Sequence, residues 1–470
     1  MDSLHHEQNN FKPFIPAEKR VSEFTATSVI LGIILAVLFG GANAYLGLRV
    51  GMTVSASIPA AVISMGVIRI ILRKDSVLEN NMVQTIGSAG ESLAAGAIFT
   101  MPVLFMWAAE GKSTMPGLGE IALICICGGA LGVFFMIPLR SALIVQEHGV
   151  LPYPEGTACA EVLLAGEKGG AKAGTVFAGL GIAAVYKFIA DGLRVFPSEV
   201  DFEVKSYKGA GIGMDVLPAL LGVGYICGVR VASYLLAGGV TAWFVIMPVI
   251  ALFGEDAVLY PATVPISELG AWGIWSNYIR YIGAGAVAAG GIFSLIKALP
   301  LIIRTFAQAV RGYGKNMEEE SRTSQDIPIR VVLVGILITA IVMWLIPVIP
   351  VNLPGAILIV VLGFFFATVS SRMVGLVGSS NNPVSGMAIA TLIITAAIYK
   401  SSGATAEGMV SSIAVGTIIC IIAAMAGDTS QDLKTGYIVG ATPKKQQYGE
   451  LISVVAVSYT HLRAHETELH

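Results

Sequence analysis

Long apolar stretches, separated by short polar segments, run along most of the chain from residue 24 onward. Each stretch is about 20 residues or more, the length at which a helix crosses the hydrocarbon core of a bilayer. The pattern predicts an all-α polytopic membrane protein with about 12–13 transmembrane helices, the last beginning near Tyr448. We expect the others at 24–48, 52–72, 81–108, 118–139, 173–196, 213–232, 234–254, 275–304, 327–349, 353–371, 381–400 and 408–427.

Composition agrees with a chain embedded in lipid and excludes other classes. Apolar residues make up 55% of the chain and charged residues only 13%, whereas charged residues make up about 25% of a soluble domain. The 29 basic and 31 acidic residues leave a net charge of −2, so no nucleic-acid partner is expected. Glycine, at 54 of 470 residues, suits membrane helices whose backbones approach closely.

The hydropathy pattern repeats with an offset of 301 residues. Two apolar stretches precede the asparagine pair 80–81, and two more precede the pair 381–382. Each pair is followed by two further spans and then by a polar segment, which we interpret as a cytoplasmic loop at 141–172 and at 428–447. An even number of spans, eight, separates the two starts, so both copies run in the same direction. Such repeats are common in transporters.

The repeat divides the chain into segments. A full second copy would extend well beyond residue 470, so we expect the second repeat to be incomplete here. The final stretch turns polar and holds three of the six histidines, and we interpret it as non-native. The expected segments are a cytoplasmic N-terminus at 1–23, a first repeat at 24–304, a cytoplasmic linker at 305–326, an incomplete second repeat at 327–457 and the tail at 458–470.

Basic residues predict the orientation in the membrane. Cytoplasmic loops carry an excess of Lys and Arg. Basic clusters at 73–74, 311–322 and 444–445 fall on the same side as the N-terminus, whereas the acidic loop around Glu255 and Asp256 falls on the other. We therefore expect a cytoplasmic N-terminus and a multi-pass protein of the inner cell membrane.

A polar stripe runs along the third predicted span. Its members recur every three to four residues, so they share one helical face. An ionisable group facing lipid costs about 2.5–3.5 kcal/mol at the bilayer centre, so we expect this face to line a substrate path. Interhelical hydrogen bonding alone is the structural alternative. Glu91 is the only acidic member and is our first candidate for proton coupling. The stripe comprises Asn80, Asn81, Gln84, Thr85, Ser88, Glu91 and Ser92.

Two other segments carry helix-breaking residues beside polar ones. Residues 151–157 place two prolines and a glycine around a carboxylate, and residues 379–386 place Pro and Gly after an asparagine pair. Irregular backbone at membrane depth is tolerated only where it is buried or lines a cavity; a plain cytoplasmic turn is the alternative. Glu155 is our second candidate for proton coupling. The predicted substrate-binding set is Asn80, Asn81, Gln84, Thr85, Ser88, Tyr153, Glu155, Asn381, Asn382 and Ser385.

Motifs for enzymatic chemistry are absent from the sequence. No His-Glu-x-x-His pair occurs, Asp428 follows Met-Ala-Gly rather than the Gly-x-Gly of a membrane aspartyl protease, and no phosphate-binding loop follows a strand. We therefore predict neither an enzyme nor a cofactor nor a metal site. Any uphill transport would have to draw on an ion gradient.

The motifs at 79–85, 153–158 and 427–437 resemble the oligopeptide transporter superfamily, which includes the yellow stripe-like metal-chelate carriers. The resemblance extends from about residue 14 to 455, and the first two motifs are closer to the yellow stripe-like branch. It implies about sixteen spans from a duplicated eight, a cytoplasmic N-terminus and proton-coupled uptake of small peptides or metal chelates.

Our leading hypothesis is a secondary active importer of small peptides that is coupled to protons. Uptake of a metal chelate, such as a siderophore or metal–amino-acid complex, is the alternative on the same fold. A channel is the rival from a different class, and it predicts a continuous polar path without broken, repeat-related elements.

Overall fold

A computed structural model describes most of the chain as helix. The described residues are 11–50, 53, 55–73, 76–168, 171–197, 199–216, 218–290, 292, 293, 296, 300, 321–401, 403 and 406–458. Most of the predicted linker and nearly all of the predicted tail therefore lie outside the described residues.

Fifteen α-helices and one pair of strands lie within the described residues. Several helices continue into short π-helical turns, for example at Gly66–Ile71 and Ser141–Gln146. The α-helices are α1 (Ala26–Val50), α2 (Ser57–Met65), α3 (Val77–Ile98), α4 (Pro102–Ala109), α5 (Leu118–Arg140), α6 (Pro154–Lys168), α7 (Ala171–Lys187), α8 (Pro218–Val240), α9 (Met247–Gly254), α10 (Gly270–Ile274), α11 (Ile329–Leu345), α12 (Leu353–Val377), α13 (Val384–Ser401), α14 (Ala406–Val439) and α15 (Pro443–Ser458); the strands are β1 (Glu199–Glu203) and β2 (Gly211–Asp215).

The chain forms two compact units, residues 1–174 with 291–470, and residues 175–290. In the first unit, α3 and α14 form the centre. Every residue of α3 is buried, and the helix packs against α1, α14 and α15. Helix α14 packs against α3, α5, α12 and α13. Glycine allows the close approaches: a Cβ on Gly90 would overlap the backbone of Ala36, and one on Gly96 would overlap that of Ile421.

The predicted membrane spans are largely present as apolar helices. Within the described residues, seven helical segments are long and apolar enough to cross a membrane, or eight if α3 and α4, bent by 42°, form one span. The predicted spans 52–72 and 173–196 correspond to shorter apolar helices at Ser57–Arg69 and Gly174–Ala190. The all-α, polytopic fold class is confirmed.

Two predicted loops are in fact mostly helical. The segment 428–447, expected as a polar loop, continues α14 to Val439, and α15 starts at Pro443. The segment 141–172 contains a π-helical turn and then α6, whose first turn includes Glu155. The loop prediction was wrong for both segments. Buried polar side chains, Asp428 and Asp432 in 428–447 and Glu155 in 141–172, pack against neighbouring helices rather than facing solvent.

The second unit contains a β-hairpin that the hydropathy pattern does not predict. Strands β1 and β2 pair antiparallel, with Glu199 opposite Asp215 and Glu203 opposite Gly211. The two predicted spans at 213–232 and 234–254 form one helical run, which consists of α8, a π-helical turn at Thr241–Ile246 and α9. This run is interrupted by non-helical backbone at Gly228 rather than near residue 233, and its part Cys227–Gly254 is long and apolar enough to cross a membrane. A small apolar cluster around Met247, Ile266 and Ile274 forms the core of the second unit.

Candidate substrate and proton site

The polar stripe of α3 is fixed at the start of the helix. Ser76 caps the helix by accepting a hydrogen bond from the Glu79 N–H at 3.3 Å. The side chains of the stripe are buried between helices, and Asn81 donates to Gln84 Oε1 at 3.0 Å. The sequence-based expectation that this face avoids lipid is therefore confirmed.

Two carboxylates of α14 receive the hydrogen bonds of this face. Asp432, only 1% exposed, accepts from the hydroxyl of Ser57 at 3.1 Å and from the side chains of Gln84 and Ser88. Asp428 lies one helical turn earlier on the same side of α14 and accepts from Ser92. The two buried carboxylates of α14 are thus the hydrogen-bond acceptors for polar side chains of the α3 stripe.

The helical structure is interrupted between α12 and α13, and we call this interruption, residues 378–383, the break. Helix α12 ends at Val377, and Gly378 then adopts φ 83°, a conformation that glycine reaches without strain. Pro383 directly precedes α13 and lacks the N–H that a helix interior requires. The break predicted at 379–386 is present, although its last three residues already belong to α13.

Glu155, in the first turn of α6, holds this break in place. Its Oε1 accepts the Ser380 N–H at 3.1 Å, and its Oε2 accepts from the Ser379 hydroxyl and from Gln431 Nε2, each at 2.9 Å. A Cβ at position 378 would lie 2.7 Å from Glu155 Oε1, so a glycine is required there for packing as well as for conformation. The carboxylate thus fastens α6, α14 and the break together.

A polar cavity of about 190 Å³ lies between the break, α3 and α14. Glu91 on one wall and Asp428 on another provide two carboxylates, and no basic side chain occurs among the described residues that line it. Glu91 Oε2 accepts the Ala56 N–H at 3.0 Å, and its side chain is 4% exposed. The lining consists of Thr53, Glu91, Ala95, Phe99, Ser379, Ser380, Asn382, Val384, Ser385, Ala424 and Asp428.

The amide of Asn382 has a defined orientation at this cavity. Its Nδ2 donates to Ser370 Oγ at 2.8 Å. Ser370 gives its only hydrogen to the Ala423 carbonyl at 2.5 Å, so it can only accept from Asn382. The nitrogen must therefore face Ser370, and Asn382 Oδ1 is left buried without a hydrogen-bond partner among the described atoms.

A second polar layer connects α14 to α15. Gln446 Nε2 donates to the Thr85 hydroxyl at 3.0 Å and to the Asp432 carbonyl at 2.9 Å. Glu450 accepts from the Thr429 hydroxyl at 2.5 Å. Glu450 is buried but does not line the cavity, whereas Glu91 and Asp428 do.

A buried lysine lies at the end of α14. Lys434 Nζ is 2.8 Å from His148 Nδ1 and donates to the Leu151 carbonyl at 3.3 Å, and it also lies 5.4 Å from the centre of the Tyr153 ring. His148 lies in the segment between α5 and α6, where burial and then the charge of Lys434 lower its pKa to about 4. The lysine thus fixes the segment before α6 to α14.

The structure brings only some of the predicted site residues to the cavity. Glu91, Asn382 and Ser385 line the cavity, whereas Glu155 and Tyr153 do not. Tyr153 is fully buried and bonds to the Gly375 and Ser371 carbonyls. The remaining predicted residues are bonded elsewhere: Asn81, Gln84, Thr85 and Ser88 within the α3–α14–α15 core, Asn80 through its carbonyl to Ser64, and Asn381 to the Val377 carbonyl.

Sequence reasoning missed Asp428, Asp432 and Gln431 as site residues. They belong to the motif 427–437, most of which was assigned to a polar loop and noted for its resemblance rather than as part of the site. The i, i+4 spacing of the two aspartates directly after an apolar run was the available signal, because it continues one helical face. Among the described residues, no group of three or more His, Cys, Asp or Glu side chains could hold a metal ion.

A polytopic helical protein with a polar, carboxylate-containing cavity between its helices is typical of the class of membrane transporters. A family model confirms this: residues 23–462 match the OPT oligopeptide transporter family. The chain belongs to this family, whose members are transporters and not enzymes.

Three curated relatives are similar to the chain over most of its length. A Haemophilus influenzae protein named as an oligopeptide transporter is 34% identical over 87% of this chain and 67% of its own length. A metal-nicotianamine transporter of Arabidopsis thaliana is 24% identical over 96% and 72%, and a probable metal-nicotianamine transporter of Oryza sativa subsp. japonica is 22% identical over 92% and 66%. The chain thus spans about two thirds of the length of these relatives.

Proposed function

We propose that the protein imports small peptides and that proton entry drives the import through the cavity between α3, α14 and the break. The observation that carries this proposal is the pair of carboxylates, Glu91 and Asp428, on the walls of one polar cavity. Ionisable groups at membrane depth are costly, and transporters use them for substrates and protons.

Glu91 is the proposed coupling group. It lines the cavity and accepts a single backbone N–H, so a free lone pair on its carboxylate can take a proton without breaking an existing bond. Glu155, the second candidate, accepts three hydrogen bonds and does not line the cavity. We therefore assign Glu155 the role of holding the break and Glu91 the role of proton carrier.

A proton gradient supplies enough energy for this role. One charge moving through 100 mV releases about 2.3 kcal/mol. At about 1.4 kcal/mol per factor of ten, this supports roughly 40-fold accumulation of a neutral substrate.

Uptake of a metal chelate is the second candidate on the same fold. The names of the Arabidopsis and rice relatives favour it, at 22–24% identity, and the name of the Haemophilus relative, at 34%, favours peptides. The channel alternative predicts a continuous polar path without broken elements, and the break at 378–383 argues against it.

Uptake into vesicles reconstituted with the protein tests the proposal. We expect labelled di- to tetrapeptides to accumulate only with an inward proton gradient and iron chelates not to accumulate. Glu91→Gln should abolish accumulation and leave peptide exchange without a gradient intact. Glu161→Gln, on the exposed side of α6, is the matched control and should behave like the unaltered protein. Gradient-driven accumulation by Glu91→Gln, or uptake of chelates alone, would contradict the proposal.

A further inference from the structure

We propose that Glu23, Arg322 and Lys445 form an ionic latch that closes one end of the first unit, and that this latch opens when substrate leaves the cavity on the predicted cytoplasmic side. The inference rests on the proposed function, since it assigns a gate to the proposed transport path. It follows from the contacts of the segment before α1, from the charges gathered there, and from the position of the cavity along α3 and α14.

The segment before α1 lies across the end of α14, and we call its residues 11–23 the strap. The Phe14 and Ile15 N–H groups donate to the Ile438 and Val439 carbonyls at 3.0 and 3.1 Å. These carbonyls belong to the last turn of α14, where a helix has no partners of its own for them. The strap therefore satisfies the end of α14 and fixes its own position there.

Glu23, the last residue of the strap, is 1% exposed and joins three segments of the chain. Its Oε1 accepts from Arg322 Nη1 at 3.1 Å, from Lys445 Nζ at 3.3 Å and from the Thr442 hydroxyl at 2.8 Å. Its Oε2 accepts the Thr442 N–H at 2.9 Å, and Arg322 Nη2 donates to the Pro16 carbonyl at 3.2 Å. Thr442 directly precedes α15 and Lys445 lies in its first turn. One buried carboxylate thus holds two cations that belong to different segments.

A second ion pair fixes the segment between the latch and α11. Asp326 accepts from Arg140 Nε at 2.7 Å and from its Nη2 at 2.8 Å, at the end of α5. Gln447 of α15 donates to Asp326 at 2.6 Å and accepts the Ile327 N–H at 2.8 Å. The start of α11 is therefore held to α5, α15 and the strap, so separating these helices at this end breaks the latch.

The cavity lies toward the other end of α3 and α14. Glu91 is roughly 21 Å from the start of α3 and Asp428 roughly 16 Å from the end of α14, at 1.5 Å per residue. Ser88 and Asp432 lie between these positions and the strap, and both are buried. The first unit is therefore closed at the strap end. A transporter whose site is reached in turn from the two sides has to open this end to release substrate.

The chemistry of the latch suits a contact that opens and closes. Charged groups that separate regain hydration, and this offsets part of the cost of breaking the ion pair. Separated apolar surfaces have no such gain, because water contact is unfavourable for them. The side chain of Lys445 is already 41% exposed, so water reaches the latch from one side.

Side-specific cysteine labelling tests the latch and needs neither substrate nor proton gradient. The reporter is Ser385→Cys, which lines the cavity, in a protein whose half-buried Cys227 is replaced by Ser. A membrane-impermeant maleimide is added to each side of sealed vesicles, and a cysteine at the exposed Lys19 marks the strap side in a parallel sample. We expect labelling from the strap side to be at least tenfold faster with Glu23→Gln than with the latch intact.

Glu18→Gln, on an exposed part of the strap, is the matched control and should label like the protein with the intact latch. Arg322→Gln should act in the same direction as Glu23→Gln. Unchanged strap-side labelling in a folded Glu23→Gln protein would overturn the inference and leave peptide import standing. If labelling behaves as expected but the unaltered protein takes up no peptide, the proposed function fails and the closure by the latch stands.

A cross-link keeps the inference testable if Glu23→Gln does not fold. Cysteines that replace Phe14 and Ile438, whose backbone N and O atoms lie 3.0 Å apart, can join the strap to α14 by a disulfide. Oxidation should stop gradient-driven accumulation and leave peptide binding, measured by the shift in thermal unfolding, intact; reduction should restore accumulation. Accumulation at the unaltered rate by the oxidised protein would overturn the inference.

Discussion

Replacing Glu155 by Ala tests whether this carboxylate organises the break that lines the cavity. The side chain accepts the Ser380 N–H at 3.1 Å and the side-chain hydrogens of Ser379 and Gln431 at 2.9 Å. The substitution removes all three acceptors and leaves the backbone of α6 unchanged. Gln431 loses a partner in a fully buried position, whereas Ser379 and Ser380 line the cavity and can regain water there.

The expected effect is largest at the Ser380 amide. A hydrogen bond to a charged group contributes about 1.5–3 kcal/mol, and the three bonds are not additive because they share one side chain. A loss of about 2–3 kcal/mol in the local opening free energy of the break, at about 1.4 kcal/mol per factor of ten, corresponds to a roughly 30- to 150-fold rise in exchange rate. Glu155→Gln keeps one acceptor and should give a smaller rise.

Hydrogen–deuterium exchange with peptide-level mass spectrometry measures this change directly and needs no substrate. Faster exchange is expected in peptides that cover 378–383, and the centre of α3 should keep its protection. Glu161→Ala is the matched control, since Glu161 lies on the same helix and is exposed. If exchange in 378–383 is the same in Glu155→Ala as in the unaltered protein, Glu155 does not hold the break and the reasoning is refuted.

Three further predictions concern packing, pH and orientation. Gly90→Ala should lower the unfolding free energy by about 1–3 kcal/mol, because its Cβ overlaps the α1 backbone, whereas Gly41→Ala, which faces open space, should not; thermal melts would show the difference. Burial and the neighbouring lysine lower the pKa of His148 from 6.5 to about 4. As the pH drops from 6.5 to about 4, the unfolded chain takes up this proton before the folded protein does, so the free energy of unfolding falls. His148→Gln should flatten that fall in melts from pH 7 to 4, and an unchanged slope would contradict it. A cysteine placed at Asp256 should react with an external maleimide and one at Lys315 should not; the reverse pattern would invert the proposed orientation.

Hydropathy and periodicity predicted the helices of the first unit and the buried face of α3. The reason is physical: a face with a carboxylate and six other polar side chains cannot lie against lipid, so its burial follows from the sequence alone. The helix break near Pro383 was equally predictable, since proline removes a backbone donor. The burial of Glu91 on a polar helical face therefore follows from the sequence.

The hydrogen-bond partners of the polar face of α3 could not be predicted in the same way. Residues 428–439 are polar enough to suggest a loop, and they remain helical because Asp428 and Asp432 find hydrogen-bond donors on α2 and α3. These donors lie 336 to 375 residues away along the chain, so no local pattern reports them. The hydrogen-bond partners of Glu155 could not be predicted for the same reason, because its three donors belong to segments far along the sequence.

The two asparagine pairs whose spacing predicts a repeat lie in different structures. Helix α3 begins at Val77, so the pair 80–81 lies inside a continuous helix. Helix α13 begins at Val384, after the pair 381–382, and Pro383 directly before it lacks the N–H that a helix interior requires. The cavity is therefore lined on one side by helical residues, Glu91 among them, and on another by the break that Glu155 holds. This difference keeps the proposed proton carrier apart from the carboxylate that holds the break.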